Sequence, residues 1–218
     1  RAGINISEGA FGGHIIENSD IFNTVLETGD HGSFNSWGRD RYWSPSQRLV
    51  HEQVAKNNTL PFLDMLDKNI IRHNRWRCDH GWDIDLDDGS SQYEVYNNLL
   101  LNGGLKFREG YNRKATNNII VNNSFHPHVW YKESGDVFTK NILFGTYKEI
   151  LMNNTIGENK KWGKLIDANF FMGDSSNNHL FVQNGCDSNS IMGDPEFKNP
   201  IIGDFTVSNK AALSKLCF

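Results

Sequence analysis

The sequence has few cysteines, no long apolar stretch and no excess of positive charge. Cys78, Cys186 and Cys217 are too few and too scattered for a disulfide framework, and no CxxC or Cys/His spacing suggests a zinc site. No apolar run approaches the ~20 residues of a membrane span. With a net charge of −4, we expect neither a nucleic acid nor an anionic membrane as a partner.

The sequence opens on RAGINIS, with no methionine, and we expect no signal peptide in it. We therefore expect it to be the C-terminal part of a longer chain. Its 218 residues suit one domain with a real core.

Asparagine and glycine are abundant instead, with 27 and 20 copies. Both residues favour tight turns and left-handed backbone positions. This composition predicts many short turns and no long helices.

A repeat runs through the chain. Apolar or β-branched runs that end near an asparagine recur at 14–22, 69–77, 93–101, 114–122 and 136–144, and a second set lies at 82–89, 104–110 and 128–135. In the last four runs of the first set, Asn74, Asn98, Asn118 and Asn141 are separated by 24, 20 and 23 residues. Short strands at this period indicate a β-solenoid. We predict an all-β, right-handed parallel β-helix over 1–218, with stacked asparagines at one corner; the alternative is an antiparallel β-sandwich.

Residues 38–68 interrupt the repeat between the similar segments 30–37 and 79–86. This insertion of ~30 residues contains the best helical stretch, Pro45–Lys56, and insertions in solenoids usually build one wall of a binding face. Residues from about 187 to 218 are expected to form the closing coil.

The strand that contains Asp83, Asp85 and Asp87 carries the main functional signal. Strand alternation turns these three carboxylates outward and Ile84 and Leu86 inward. The same alternation predicts two outward stacks across three coils. They are Asp85–Lys106–Trp130 and Asp87–Arg108–Lys132, with Val129 and Tyr131 inward and Asp88 beside Glu109.

Carboxylates on adjacent coils, ~4.8 Å apart, suit glycosidic bond cleavage. Retaining glycosidases hold two carboxyl groups ~5–5.5 Å apart, and inverting ones ~6.5–9.5 Å apart. The candidate catalytic residues are Asp85, Asp87 and Glu109, with Asp88 as a third choice of nucleophile. Lys106 and Arg108 would keep the nucleophile ionised.

Two other interpretations of the acidic strand stay open. Asp83, Asp85 and Asp87 with Glu94 partly match a calcium loop, but the glycine is one position late and the flanks are β-repeats. Calcium of another geometry is one alternative. The other is a strand whose acids only pair with neighbouring cations.

Histidines cluster along the same strands. His31, His80, His126 and His128, together with an outward Trp130, resemble a sugar-binding groove. Asp30, Asp83 and Asp88 complete the candidate substrate-binding set with Lys106 and Arg108. The insertion can contribute Arg39, Asp40, Arg41, Trp43 and His51.

The chain resembles right-handed parallel β-helix carbohydrate-active enzymes of bacterial type, among which β-xylosidases are the nearest analogue. The likeness is carried by GDHGSFNSWGRDRYW, by RCDHGWDIDLDDGSSQYEVYNNLLLNGGLKFREG, by NNSFHPHVW and by DSNSIMGDPEFKNPIIGDFTV at 187–207. It implies a secreted or periplasmic glycoside hydrolase with an Asp nucleophile and Glu109 as acid/base. The NTD, DD, GHG and RIK motifs of polygalacturonases are absent, so pectin hydrolysis of that kind is not expected.

Two further functions remain as alternatives. A polysaccharide lyase would use Lys106 or Arg108 as base and a calcium ion at the Asp cluster. A non-catalytic glycan-binding β-helix would need only the groove. No other cofactor is expected, and a missing N-terminal capping segment or a second chain is expected over the first coil.

Overall fold

The chain forms a parallel β-helix, as the repeat predicts. The computed structural model describes residues 1–8, 11–131, 133–148, 162–173 and 179–216. Each of the first five coils contributes one strand to each of three parallel sheets, and neighbouring strands in a sheet come from successive coils. The antiparallel alternative is therefore wrong for the main body.

The three sheets, here A, B and C, comprise eighteen of the strands that the structure describes. Sheet A contains β1 (Ile4–Ile6), β4 (Gly32–Ser36), β7 (Trp82–Leu86), β10 (Leu105–Arg108) and β13 (Phe125–His128). Sheet B contains β2 (Ile15–Glu17), β5 (Asn69–Arg72), β8 (Tyr93–Tyr96), β11 (Lys114–Thr116), β14 (Val137–Thr139) and β16 (Leu165–Asp167). Sheet C contains β3 (Asp20–Ile21), β6 (Arg75–Trp76), β9 (Leu99–Leu100), β12 (Ile119–Ile120), β15 (Ile142–Leu143), β17 (Phe170–Phe171) and β18 (Ile191–Met192).

An asparagine ladder joins the coils at the corner between sheets B and C. In this ladder the side-chain amide of each asparagine donates to the Oδ1 of the next one, at 3.0–3.2 Å. The members are Asn74, Asn98, Asn118, Asn141 and Asn169. The predicted stack is confirmed and extends one coil further, to Asn169.

Alternate residues of the strands fill the core. Ile84 and Leu86 of β7 and Leu105 and Phe107 of β10 are fully buried, as the alternation predicts. The interior also holds aromatic side chains from several coils, such as Phe125, which stacks on Phe138 with ring centroids 4.1 Å apart. Apolar burial along the axis therefore holds successive coils together.

The insertion at 38–68 lies between β4 and β5. It contains α1 (Arg39–Tyr42), α2 (Gln47–Lys56) and a 3-10 turn at Leu60–Phe62. The helix predicted at Pro45–Lys56 is thus confirmed as α2. A second apolar cluster packs the insertion onto the coils through Tyr42, Val50, Tyr111 and Tyr131.

The C-terminal segment packs on the outward side of sheet C, where Ala212 and Phe197 cluster with Phe170. After β17 come α3 (His179–Gln183) and β18, followed by an antiparallel hairpin of β19 (Phe197–Asn199) and β20 (Asp204–Val207) around a 3-10 turn at Pro200–Ile202, and then α4 (Lys210–Leu216). Within the described ranges, no helix is long and apolar enough to cross a membrane. Cys78 and Cys186 are buried free thiols, whereas Cys217 lies outside the described residues.

One predicted strand is in the wrong place. The alternation placed a strand at 128–135, whereas β13 spans Phe125–His128. Pro127 sits within β13, at the edge of sheet A as far as the structure describes it, where a missing backbone N–H is tolerated. The error shifts every outward residue of this coil.

Candidate functional site

The outward face of sheet A carries two columns of polar residues. Strand register places Asn35, Asp85, Lys106 and His126 side by side in one column. In the other, Arg108 pairs in register with His128, and its Nη1 lies 3.6 Å from Asp87 Oδ1. The first two predicted layers are confirmed.

The third layer is wrong. His126 and His128 take the places predicted for Trp130 and Lys132. Trp130 is buried in the core, where its Nε1 donates to Asp136 Oδ2 at 2.6 Å, so it cannot stack on a sugar from outside. Tyr131, predicted to point into the core, is instead buried beneath the insertion with Tyr42 and Val50. Val129 is only half-buried, and Lys132 lies outside the described residues.

Lys106 is a buried cation held between two acids. Its Nζ lies 3.0 Å from Asp85 Oδ1 and 2.9 Å from Asp87 Oδ1, and 4.0 Å from the ring centre of Trp82. Burial raises the pKa of Asp85 to about 7, although Lys106 works against that rise. Burial also acts on Asp87, but Lys106 and then Arg108 hold its pKa below the ordinary range. Adjacent carboxyl groups therefore differ in protonation.

Asp88 and Glu109 form the carboxyl pair expected at the corner. Both side chains are buried, and Arg108 Nε lies between them. Burial is the main reason that the pKa of Glu109 is raised, and the Asp88 carboxylate adds to it. Arg108 Nε lies 3.0 Å from Asp88 Oδ1 and 3.2 Å from Glu109 Oε2, which limits the repulsion.

The insertion covers this pair. Trp43 Nε1 donates to Glu109 Oε2 at 2.8 Å, and Arg39 Nη2 lies 2.6 Å from Asp88 Oδ2. The hydroxyl of Tyr42 anchors α1, because it lies 2.9 Å from the backbone oxygens of both Gly89 and Glu109 and can donate its one proton to either. The expectation that the insertion forms a wall of this face is met by Arg39 and Trp43.

Three other insertion residues point elsewhere. Arg41 Nη1 lies 2.8 Å from Asp64 Oδ1, within the insertion itself. The backbone of Asp40 bonds to Glu8, and the Asp40 side chain is exposed. His51 packs against Tyr131 with ring centroids 4.9 Å apart. These predicted contributions to the site are wrong.

Asp83 also departs from its predicted position. Its carboxylate is fully buried and accepts from the backbone N–H groups of Cys78, Asn102 and Gly104 at 2.7–3.1 Å. Three donors converge at this corner and need an acceptor, so the alternation fails at the start of β7. Asp83 is therefore a buried structural acid that does not lie on the outward face of sheet A.

The calcium-loop pattern has no structural counterpart. Asp83 turns away from Asp85 and Asp87, and Glu94 pairs with Lys68 at 2.7 Å on sheet B. Among the residues that the structure describes, no group of three or more His, Cys, Asp or Glu side chains is placed to hold a metal ion. The acidic strand is instead interleaved with Lys106 and Arg108.

The histidines lie along the same face. His126 Nδ1 accepts from Trp82 Nε1 at 3.3 Å, and its ring centre is 5.0 Å from that of His128. Burial, followed by Lys106 and Arg108, lowers the pKa of His128 to about 4, so its imidazole is neutral at pH 7. His80 is exposed, and His31 Nδ1 lies 2.9 Å from Thr28 Oγ1. Of the four, His126 and His128 lie in register with Lys106 and Arg108.

Asp30 and Trp82 also lie near this face, on its N-terminal side. Asp30 is exposed and its charge contributes to the raised pKa of Asp85, which places it near the cluster. Trp82 is half-buried above Lys106 and is an aromatic residue of this face that the sequence analysis missed. Alternation assigns it inward with Ile84, so that pattern could not have revealed it.

Comparison with known proteins adds no family. No family model, no curated protein and no solved structure matches the chain. The outward face of sheet A is therefore the basis for the function proposed below.

Proposed function

We propose that the chain is a glycoside hydrolase that uses Asp87 as the nucleophile and Glu109 as the acid/base. One observation carries this proposal: Arg108 contacts two carboxyl groups from adjacent coils whose pKa values are moved in opposite directions. An ionised carboxylate beside a protonated one is the pairing that glycosidic cleavage requires.

Exposure selects among the predicted nucleophiles. The side chain of Asp87 is 13% exposed, whereas Asp85 is fully buried behind Lys106 and Asp88 is buried beneath Arg39. Asp85 and Lys106 thus orient Asp87 and hold its charge. Burial, and then the neighbouring Asp88, raises the pKa of Glu109 and so favours its protonated form.

The chemistry follows from these roles. Asp87 attacks the anomeric carbon while Glu109 gives its proton to the departing glycosidic oxygen, which leaves a glycosyl ester on Asp87. Glu109, now a carboxylate, then takes a proton from water as that water attacks the same carbon and releases Asp87. Trp82, His126 and His128 line the face on which the sugar would lie. A carbohydrate partner outside the cytoplasm belongs to the same proposal.

A second candidate is a glycan-binding β-helix without catalysis. It is favoured by the side chain of Glu109, which is only 4% exposed and lies under Trp43 and Arg39. Hydrolysis requires Arg39, which is 49% exposed, to move away when substrate enters. A calcium-dependent lyase is less well supported, because Lys106 is held by two carboxylates and an arginine stays protonated.

The test is a panel of polysaccharides and aryl glycosides with the wild type, Asp87→Asn, Glu109→Gln and the control Asp40→Asn. Asp40 is an exposed carboxylate of α1 and should be dispensable. New reducing ends that vanish in the first two variants and persist in the control support a hydrolase. Ultraviolet-absorbing products abolished by EDTA point to a lyase. Binding without any product points to the glycan-binding alternative.

A further inference from the structure

The N-terminal end of the solenoid leaves the inward side chains of the first coil partly uncovered. Strand register matches three of them, Ile4, Ile16 and Ile21, to residues of the second coil that are fully buried. The first-coil side chains pack against the same core but are only half-buried. This apolar group, here called the end cluster, consists of Ile4, Ile6, Ile16 and Ile21.

The strands of the first coil also have free edges. β1, β2 and β3 are each the outermost strand of their sheet in the part of the chain that the structure describes. On β2, Ile70 N donates to His14 O at 2.8 Å, and Ile70 is paired in register with Ile15. The N–H and C=O of Ile15 itself therefore point away from β5, toward the open edge. A free edge beside an apolar surface is a template for another β-strand.

The asparagine ladder ends in this coil. Each ladder asparagine also donates its side-chain amide to a carbonyl oxygen of the preceding coil, as Asn74 does to Ile16 O at 2.9 Å. The first coil has Ser19 at this position, and its hydroxyl donates to Glu17 O of its own coil at 3.0 Å. At the opposite end of the ladder, the hydroxyl of Ser190 accepts from Asn169 N at 2.9 Å. Serine thus marks both ends, and the first coil lacks the side chain that would bond to a preceding coil of the same kind.

The coil of β16 and β17, near the other end, buries its inward residues. Ile166 and Phe171 are buried there, and aromatic side chains fill the adjoining interior. Tyr147 lies against Phe171 and Phe181 with ring centroids 5.2 and 4.4 Å apart, and Phe181 lies 5.2 Å from Trp162. The open cluster of inward side chains is therefore a feature of the first coil, and the first coil of a second copy would present the same apolar surface and the same free edges.

Charge does not oppose contact between two first coils. The ionisable residues of β1, β2 and β3 are Glu17 and Asp20. Arg72 Nε lies 2.7 Å from Glu17 Oε2, and Arg75 pairs with Asp20 through two contacts, so the second coil neutralises both acids. A two-fold axis would therefore bring no unpaired like charges of these strands together.

The first coil is also large enough for a stable contact. From the start of β1 to the start of β4 it comprises residues 4–31. A standard protein–protein interface takes ~20–30 residues from each partner, so one coil on each side reaches that size.

We propose that this end is an interface between two copies of the chain, which meet first coil to first coil about a two-fold axis. The two end clusters would cover each other, and the free strand edges would lie antiparallel across the axis. Such a contact closes on itself, so assembly stops at the dimer. The interface involves neither Asp87 nor Glu109, and it does not rest on the function proposed for them.

The test measures the mass of the chain by sedimentation equilibrium over a wide range of protein concentration. The proposal expects the mass of two chains. Ile16→Lys puts an ammonium group into each end cluster, where dimerisation would bury it without a partner. The dissociation constant should therefore rise about a hundredfold or more. Thermal unfolding checks that this variant is folded, because Ile16 packs against the core.

Ile15→Lys is a second variant, and it acts on the free edge. Ile15 is 55% exposed, so the fold should tolerate the change, and a lysine on an edge strand opposes pairing with another strand. The dissociation constant should rise about tenfold or more. The matched control is Leu165→Lys, because Leu165 is 40% exposed and lies in the same outward column of sheet B, at its opposite edge. This control should dimerise like the wild type.

Hydrogen exchange gives an independent measurement. Exchange of the Ile15 amide should slow as the protein concentration rises, because the second copy covers the free edge. The proposal is overturned if the wild type sediments as a single chain, or if folded Ile15→Lys dimerises as tightly as the wild type. Assemblies of more than two copies would also overturn it, because they indicate a head-to-tail contact that does not close.

Discussion

Replacing Lys106 with methionine tests whether one buried ammonium group stabilises the acidic face. Lys106 is 1% exposed, and its Nζ contacts Asp85 and Asp87 at 3.0 Å and 2.9 Å. Methionine keeps a long, flexible side chain but removes the charge. Removing one partner of a buried ion pair leaves an uncompensated charge, and we expect a loss of about 3–5 kcal/mol in the free energy of unfolding above neutral pH.

Asp85 makes this loss depend on pH. Burial raises the pKa of Asp85 to about 7, and Lys106 opposes that rise. The pKa of Asp85 should therefore be higher still in Lys106→Met. A raised pKa means that folding favours the protonated carboxyl, so the free energy of unfolding falls as the pH climbs from the unfolded pKa, ~3.9, to the folded one. Above about pH 7 the contribution of Asp85 in the wild type has levelled off. The variant goes on losing ~1.4 kcal/mol per pH unit until its own, higher pKa is reached.

Urea unfolding at about pH 5 and about pH 9 measures both effects. The loss caused by Lys106→Met should be clearly larger at the higher pH. The double variant Asp85→Asn/Lys106→Met removes both buried charges, and it should be more stable at high pH than the lysine variant alone. Equal losses at the two pH values, or no recovery in the double variant, would refute this account of the cluster.

Three further changes probe the insertion and the ladder. Trp43→Phe removes the indole donor that lowers the pKa of Glu109, so carbon-13 NMR should show that pKa higher still. Trp37→Phe, whose ring centre lies 5.9 Å from the Arg39 guanidinium, should leave that pKa unchanged. Asn98→Ala interrupts the ladder and leaves buried groups unpaired on both sides, which should cost about 2–4 kcal/mol in urea unfolding, and a loss below 1 kcal/mol would contradict this. Gly89 has φ +82°, and Gly89→Ala would put a Cβ 2.4 Å from the Gly38 carbonyl oxygen. Protease should therefore cut within 38–68 faster, while circular dichroism is unchanged. An unaltered rate of cutting would argue against that contact.

The parts of the fold that repeat could be predicted from the sequence. Asn74, Asn98, Asn118 and Asn141 mark the coils because each must occupy the same buried corner, and that requirement shows directly as spacing. The insertion was visible as a gap in the same pattern.

The site predictions that are wrong concern residues whose assignment depends on where their strand starts. The residue seven positions after Asn98 is Leu105, and the residue seven positions after Asn118 is Phe125. These two residues are paired in register in sheet A, so the ladder gives the correct alignment. Assigning the third strand to 128–135 placed Trp130 beside Lys106, where His126 lies, because turns differ in length and Pro127 hides the strand. Trp82 and Asp83 could not be assigned, since the demand of three backbone N–H groups overrides alternation there.

The insertion also has a consequence for the order of assembly. Ladder contacts between later coils join residues 20–28 positions apart, whereas the contact from Ser19 to Asn74 spans 55. Closing that longer loop costs about 0.8 kcal/mol more than closing one of typical length. Solenoids fold by propagation from a nucleus, so we expect the coils of Asn98 and Asn118 to form early and β2 and β3 to dock late. Because Arg39 and Trp43 lie within that long loop, the covered carboxyl pair is completed only in the final folding step.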